Sequence, residues 1–284
     1  MARFNELNIN SWNIQGVNHP IKKKKILTFL KKEKTDIALL QETHLNKTEH
    51  EKLKKDWVGQ VYYASYNTRS RGVAILIRKT LPFVLENIQS DPNGCYVLIQ
   101  GNLYGEKIVI MNVYAPPNSP PPFFSKMVEV LSPFTSVNTI IAGDWNNILN
   151  YNLDRTPQGK SLTKSSKTMI KIMDEMGWVD VWRMKNPSVK DFTFYSNPHK
   201  CYSRLDYFLI PRMLVASVTK CSIGSIHISD HAPISLSLCL QSPKQTYRWQ
   251  CNRAILSDQE FKEYIKTELR IFLEINGQFS TILR

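Results

Sequence analysis

Thr139-Ile140-Ile141-Ala142-Gly143-Asp144-Trp145-Asn146-Asn147 is a short apolar run with strand character that stops at a glycine and delivers a carboxylate and an amide. Side chains alternate faces along an extended segment, so Asp144 and Asn146 would point the same way and converge on one ligand. A strand-end Asx turn, which Gly-Asp and Asn-Asn dipeptides often make, explains this stretch alone equally well. The weight shifts because strands ending in polar side chains recur along the chain.

Upstream, Leu7 to Trp12 alternates Leu7 and Ile9 against Asn8 and Asn10 and runs into Asn13. The unbroken apolar run after Asp36, Ile37-Ala38-Leu39-Leu40, is expected to be a strand buried on both faces, and it leads into Gln41-Glu42-Thr43-His44. A glutamate beside such a strand is costly unless it is paired or bound to a cation, which makes Glu42 a ligand candidate. Further strands are expected over Gly72 to Ile77, Tyr96 to Ile99 and Ile108 to Tyr114. The last is closed by Pro116 and Pro117, because proline cannot continue a central ladder. Helices are expected near Phe123 and over Ser166 to Met176, with Trp178, Val179 and Trp182 in the core.

Downstream, 154–160 reads as a loop. Phe192 to Ser196 and Cys201 to Ile210 read as a hairpin across the turn Asn197-Pro198-His199-Lys200, with Arg204 and Asp206 on one face of the second strand. Asp230 and His231 stand just before Ile234-Ser235-Leu236-Ser237-Leu238, whose alternation marks a half-buried closing strand.

The 284 residues suit one large domain with a tail: 1–240, then 241–284 as the polar linker Gln241 to Tyr247 and an amphipathic helix from Ser257 to Ile275. Ser257 is the expected N-cap, and Phe261, Ile265, Leu269 and Phe272 form the apolar stripe. Lys and Arg total 37 against 24 acidic residues, a formal charge of +13 that favours a polyanionic partner, nucleic acid first. The lysines from Lys22 to Lys25 and at Lys31, Lys32 and Lys34 are accounted for by the solvated face of a helix that buries Ile26, Leu27 and Leu30. Five widely spaced cysteines without a C-x-x-C pair point to neither a disulfide framework nor a zinc site. With no apolar signal core and no run approaching roughly 18 apolar residues, the expectation is a soluble, intracellular protein.

Collected together, the strand ends carry Asn13, Glu42, Tyr114, Asp144, Asn146, Asp206, Asp230 and His231. This inventory suits metal-assisted phosphate hydrolysis. Carboxylates with water suit Mg²⁺, and a His paired with an Asp can activate a nucleophile or oppose a developing charge.

Ser11-Trp12-Asn13, Gln41-Glu42-Thr43, Asn112-Val113-Tyr114-Ala115-Pro116, Gly143-Asp144-Trp145-Asn146, Arg204-Leu205-Asp206-Tyr207 and Ser229-Asp230-His231-Ala232-Pro233 resemble the motifs of the endonuclease/exonuclease/phosphatase superfamily, in its order and roughly its spacing. The stretches 41–45, 192–196 and 154–155 look most like the endonuclease domain of LINE-type (non-LTR) retrotransposons. The resemblance implies an α/β (α+β) fold, a four-layer αββα sandwich of two mixed sheets face to face, with the site at one end. It implies Glu42 as principal Mg²⁺ ligand (Mn²⁺ as substitute), with Asn13 and Asp230 near the metal or phosphate. Asp144 would orient or deprotonate the attacking water, Asn146 would hold the scissile phosphate, His231 oriented by Asp206 would contact a phosphate oxygen, and Tyr114 would add a phenolic hydrogen bond. Arg155, Thr193 and Ser203 would face DNA. The implied partners are double-stranded DNA and a reverse transcriptase domain in a parent polyprotein, with action in the nucleus.

Three readings stay open: a Mg²⁺-dependent DNA endonuclease leaving 3′-hydroxyl and 5′-phosphate ends, a repair-type 3′–5′ exonuclease or abasic-site endonuclease, and a non-catalytic DNA-binding remnant of a decayed element. Gln15 stands where abasic-site enzymes of the superfamily carry an aspartate, which weakens the second.

Overall fold

The computed structural model describes residues 6–117, 119–134, 137–158, 161–240 and 258–276. They fall into two units, 1–241 and 242–284. In the first, chain order is β1 (Glu6–Asn13), α1 (Pro20–Lys32), β2 (Ile37–Gln41), α2 (Lys47–Glu51), β3 (Val58–Ala64), β4 (Val73–Arg78), β5 (Phe83–Ser90), β6 (Tyr96–Leu103), β7 (Glu106–Tyr114), α3 (Pro121–Leu131), β8 (Asn138–Asp144) and β9 (Arg155–Thr156). It continues with α4 (Lys164–Met176), β10 (Trp178–Asp180), α5 (Val181–Lys185), β11 (Phe194–Ser196), β12 (Cys201–Ser203), β13 (Asp206–Pro211), β14 (Val218–Ile223) and β15 (Ile234–Cys239).

One sheet has the order β14-β15-β1-β2-β4-β3 and the other β10-β13-β8-β7-β6-β5. Each contains one parallel pair, β1 with β2 and β7 with β8, among antiparallel neighbours. The apolar run of β2 shows why both of its faces are dry. Ile37 and Leu39 join Ile9, Ile99, Ile110 and Ile140 in the core between the sheets. Ala38 and Leu40 turn outward onto Ile26 and Leu30 of α1. Phe124 of α3 and Met169 of α4 cover Met111 and Leu209 on the outer face of the second sheet. The layers are therefore helix, sheet, sheet, helix, as the resemblance implied.

A buried polar contact joins the sheets near the end of β2. Gln41 Nε2 donates to Asn112 Oδ1 (2.7 Å) and Ser11 Oγ (3.0 Å), while Asn112 Nδ2 donates to the carbonyls of Leu40 (2.9 Å) and Ala74 (2.8 Å). The amide nitrogens of both side chains are satisfied, while Gln41 Oε1 is buried without a hydrogen-bond partner.

Two expectations change. The stretch from Cys201 to Ile210 is not one strand: it breaks at Arg204-Leu205, where the chain leaves a small sheet, β11-β12-β9, and enters the second large sheet as β13. Arg204 consequently does not share a face with Asp206. It is buried, with Nε 2.9 Å from Asp154 Oδ1 and Nη2 2.7 Å from Asp180 Oδ2, its guanidinium stacked on Trp182 and Tyr207. The supposed loop 154–160 contains β9, which pairs with β12. The alternation of β15 is real, but its serines are capped: Ser235 and Ser237 donate to Asn10 Oδ1 (2.8 Å) and Asn8 Oδ1 (2.7 Å) of β1.

The second unit contains α6 (Gln259–Asn276). The amide of Phe261 donates to Asp258 Oδ1 at 3.0 Å, a capping contact. Ser257 and the linker 241–247 lie outside the described residues. No helix among the described residues is long and apolar enough to cross a membrane.

Candidate active site

Register brings the polar strand ends to one level. Tyr114 pairs with Asp144 across the parallel β7–β8 ladder, and Asp144 pairs with Asp206 across β8–β13. Asn13 pairs with Gln41, which places Glu42 one residue beyond. Gly143 makes this possible. Its φ is +147°, and a Cβ there would stand 1.8 Å from the Val113 carbonyl oxygen. Gln15, Glu42, His44 and Asn146 all have φ between 44° and 53°, the left-handed region that non-glycine residues seldom adopt and that gathers at functional sites.

Asp144 and Asn146 do meet, but through a turn: β8 ends at Asp144, and the Asn146 amide donates to Asp144 Oδ1 at 2.9 Å. Asn146 Nδ2 donates to Asp144 Oδ2 (3.1 Å) and the Ala115 carbonyl (2.9 Å). Asn13 is the hub. Its Nδ2 donates to Glu42 Oε1 at 3.0 Å and to Asp144 Oδ2 at 2.9 Å, and its Oδ1 accepts from the Gln15 amide at 3.1 Å. Gln15 Nε2 in turn donates to Asp230 Oδ2 at 3.1 Å, and Ser229 Oγ to Asp230 Oδ1 at 3.1 Å. His231 Nδ1 lies 2.8 Å from Asp206 Oδ2, and its Nε2 stands 3.9 Å from Asp144 Oδ2. The indole of Trp12 donates to the His231 carbonyl (2.9 Å), and Phe194 packs on the imidazole with ring centroids 4.7 Å apart.

The electrostatics divide the site in two. Burial works against ionised Glu42, but hydrogen bonds from His44, Asn13 and Tyr114 outweigh it and hold the carboxyl below its ordinary range. Burial raises Asp144, whose side chain is shut off from solvent. It would also discharge His231, yet the adjacent Asp206 and Asp144 carboxylates prevail and raise it. Burial and then the charges of Glu42 and Asp144 raise Tyr114, which keeps the phenol protonated as a donor.

All eight residues singled out at strand ends thus come together. The three expected to face DNA separate. Arg155 is exposed on β9, whereas Ser203 is buried beside it in the ladder. Thr193 is fully buried, and its Oγ1 accepts from the amides of Leu205 (2.9 Å) and Asp206 (3.2 Å), so it braces the start of β13 instead of presenting to a ligand. Two further groups join the site without having been assigned a role in it from the sequence. His44 Nε2 lies 3.1 Å from Glu42 Oε2. Lys22, read as part of a solvated face, is half-buried and donates from Nζ to the Gln15 carbonyl at 3.0 Å.

A divalent cation fits this donor set. Asp144, Asp206 and His231 bring ligand atoms within 4.8 Å of one another and could hold a metal. Yet Nδ1 of His231 is already engaged by Asp206, and its raised basicity favours a proton there. Glu42 is the better anchor for a hard, oxygen-seeking ion. It is ionised, its side chain retains 22% exposure, and Asp230 and the Asn13 carbonyl are linked to the same hydrogen-bonded cluster.

A two-sheet sandwich with an acidic, histidine-bearing cluster at the strand ends describes a class of phosphoester-cleaving folds. The sequence matches the Endonuclease/Exonuclease/phosphatase family over residues 11–231, and the chain belongs to that metal-dependent family of nucleases and phosphatases. It is 28% identical over 286 aligned positions, 97% of its own length, to the uncharacterized 149 kDa protein of transposon TX1 from Xenopus laevis, of which it spans 21%. The fold is similar to AP endonuclease LMAP from Leishmania major (TM-score 0.70, 20% identity, 83% of this chain and 88% of that one). It is also similar to the Neisseria 3′ phosphatase NExo, solved with a product DNA hairpin (0.65, 17%, 82% and 99%). A third similar structure is the endonuclease domain of TRAS1, a telomere-specific non-LTR retrotransposon (0.64, 15%, 83% and 100%).

Proposed function

We propose that the chain is a Mg²⁺-dependent DNA endonuclease that nicks duplex DNA to leave 3′-hydroxyl and 5′-phosphate ends, serving target-site cleavage for a retrotransposon. The observation that carries this reading is the Asn13 amide, 3.0 Å from Glu42 and 2.9 Å from Asp144, which couples a solvent-reaching carboxylate to a buried one beside a pinned histidine. The raised Asp144 carboxylate is suited to take a proton from water at neutral pH. The water oxygen then bonds to phosphorus, the P–O3′ bond breaks with its electron pair on the 3′ oxygen, which takes a proton from solvent to become the 3′-hydroxyl, and the phosphate remains on the 5′ end. His231, charged and held by Asp206, opposes the negative charge gathering on the phosphoryl oxygens, while the Tyr114 hydroxyl orients Glu42. Glu42, with Asp230 and Asn13, would hold a Mg²⁺ ion, which supplies charge neutralisation at the phosphate.

Support for DNA as substrate comes from the +13 charge, the exposed Arg155 on β9, and the nucleic-acid enzymes among the structural relatives. The transposon relative, of which this chain spans 21%, supports a larger parent polyprotein; we propose further that 241–284 links the nuclease domain 1–240 to the rest of it and that the protein acts in the nucleus. Supercoiled plasmid incubated with Mg²⁺ or EDTA tests the reaction, and sequencing of the nicks tests the ends. The likeness to an AP endonuclease favours abasic-site cleavage as the second reading. Preference for an abasic duplex over an intact one would decide for it.

A further inference from the structure

The end of β2 runs into a loop that is pinned from both sides. On one side the amides of Gly16 and Val17 donate to the carbonyls of Glu42 (2.7 Å) and Thr43 (3.1 Å); on the other, the amides of Thr43 and His44 donate to the carbonyls of Gly72 and Arg71 (both 3.0 Å). Thr43 Oγ1 lies 2.8 Å from His50 Nε2, and Leu45 is buried in the core under α1. Glu42 and His44 both take left-handed backbone, with φ of 49° and 53°, and their side chains meet, His44 Nε2 standing 3.1 Å from Glu42 Oε2. An ionised carboxylate only accepts, so the hydrogen between them belongs to Nε2. The imidazole rests against Gly16, where a Cβ would stand 2.8 Å from Nδ1. Backbone on three sides therefore aims this ring at Glu42.

Asn13 Nδ2 holds the other oxygen of the same carboxylate, Oε1, at 3.0 Å, and the Tyr114 phenol also serves the group. The terminal torsion of a glutamate is broad, so the plane of its carboxylate is set by its donors and not by its own rotamer. With His44 on Oε2 and Asn13 on Oε1, rotation in either direction breaks a hydrogen bond. We propose that His44 is a positioning residue that sets metal choice: gripping Glu42 Oε2 while Asn13 grips Oε1, it fixes the carboxylate for a Mg²⁺ ion in preference to Ca²⁺. The inference rests on the Mg²⁺ reading given above. Mg²⁺ demands near-octahedral geometry and gains from a ligand already in place, whereas Ca²⁺ accepts flexible geometry and takes carboxylates through one oxygen or both. A hydrogen bond that orients the ligating carboxylate therefore matters more to the smaller ion.

The test uses the full 284-residue chain, with His44→Leu to remove the donor and His44→Gln to return one at similar reach. His50→Gln is the control, because it disturbs the same loop through Thr43. Calorimetric titration without DNA gives the Mg²⁺ and Ca²⁺ affinities of each. His44→Leu should bind Mg²⁺ about 10- to 100-fold more weakly, the usual loss when a metal ligand is deprived of its hydrogen-bond partner. Its Ca²⁺ affinity should change by less than about threefold, so that the preference for Mg²⁺ shrinks. His44→Gln should recover most of the preference, and His50→Gln should leave it intact. If His44→Leu does not fold, His44→Ala takes its place with the same expectation. Equal losses for both ions or unchanged Mg²⁺ affinity overturns the proposal, as does tighter Mg²⁺ binding, the mark of a competing positive charge. A preference lost as fully in His44→Gln or His50→Gln overturns it too. If such a result comes with Mg²⁺-dependent nicking by the unaltered chain, the site reading stands and only the role of His44 falls. If the unaltered chain neither binds Mg²⁺ nor nicks DNA, both fall.

Discussion

Replacing Asp206 by asparagine removes one charge and keeps the shape of the side chain. Asp206 Oδ2 lies 2.8 Å from His231 Nδ1, with 1% and 6% of the respective side chains exposed, so almost no water screens the pair. Unit charges at that separation attract by roughly 6 kcal/mol at an effective dielectric constant of 20, before the desolvation of both is subtracted. Deleting one partner of a buried pair costs about 3 to 5 kcal/mol. Because His231 can shed its proton when left alone, the lower end applies, about 3 kcal/mol at neutral pH. The pH dependence has a definite sign. His231 is raised above its free value, so its pairing stabilises the fold fully below about pH 6.5 and the benefit is lost as pH rises through the raised value. The variant's deficit should therefore be largest near neutrality and shrink in alkali, as read by urea unfolding at several pH values. Nicking of supercoiled plasmid with Mg²⁺ should fall by about 10² to 10⁴, with the alkaline limb of the rate profile moved to lower pH. Adding His231→Ala should then cost little more, since groups acting as a unit are strongly non-additive. Cleavage within threefold of the unaltered chain and an unmoved alkaline limb, or fully multiplicative losses in the double variant, would refute the coupling.

Glu42→Ala should abolish Mg²⁺-dependent nicking while duplex binding in a gel-shift assay survives, because affinity comes chiefly from Lys and Arg contacts to phosphates. Gly143→Ala should lower stability by about 3 kcal/mol or more, read as a fall in melting temperature, because its Cβ would meet the Val113 carbonyl at 1.8 Å. His50 is buried between Thr43 Oγ1 (2.8 Å) and Ser65 Oγ (2.9 Å), and burial pushes it down to about 4. Its neutral form stabilises the fold above about pH 6.5, and about 3 kcal/mol should be lost as pH falls towards 4; urea unfolding of His50→Gln should be flatter across that window.

Legibility in the sequence followed burial. The Ile37–Leu40 and Thr139–Ala142 runs announced themselves because both of their faces are dry. β5 did not, because Phe83–Ser90 is an edge strand, largely exposed and bulged between Leu85 and Asn87, which erases its period. The break at Arg204-Leu205 was invisible because no glycine or proline marks it and the chain stays buried from Ser203 to Ile210 while it changes sheets. Strand-end side chains in the motifs could be collected from the sequence, since each follows or precedes an apolar run. Lys22 could not, because its contact is to a backbone carbonyl, that of Gln15, which carries no residue-type signal, and its neighbours Lys23 to Lys25 look the same.

The buried arginine at that break has a mechanical consequence. Arg204 binds Asp154 and Asp180, Arg183 adds a 2.7 Å contact to Asp154, and Thr193 ties the opposite strand to the amides of Leu205 and Asp206. The small sheet is therefore a cantilever, clamped at its root and loaded only at its free end, where Asn197, Pro198, His199 and Lys200 are all exposed. The site rests on the clamped end, where Phe194 packs on the His231 imidazole and the Tyr195 amide donates to the Asp230 carbonyl, and the tip stands beyond it. Residues 197–200 can accordingly be exchanged, lengthened or recharged over evolutionary time while the imidazole beneath keeps its position.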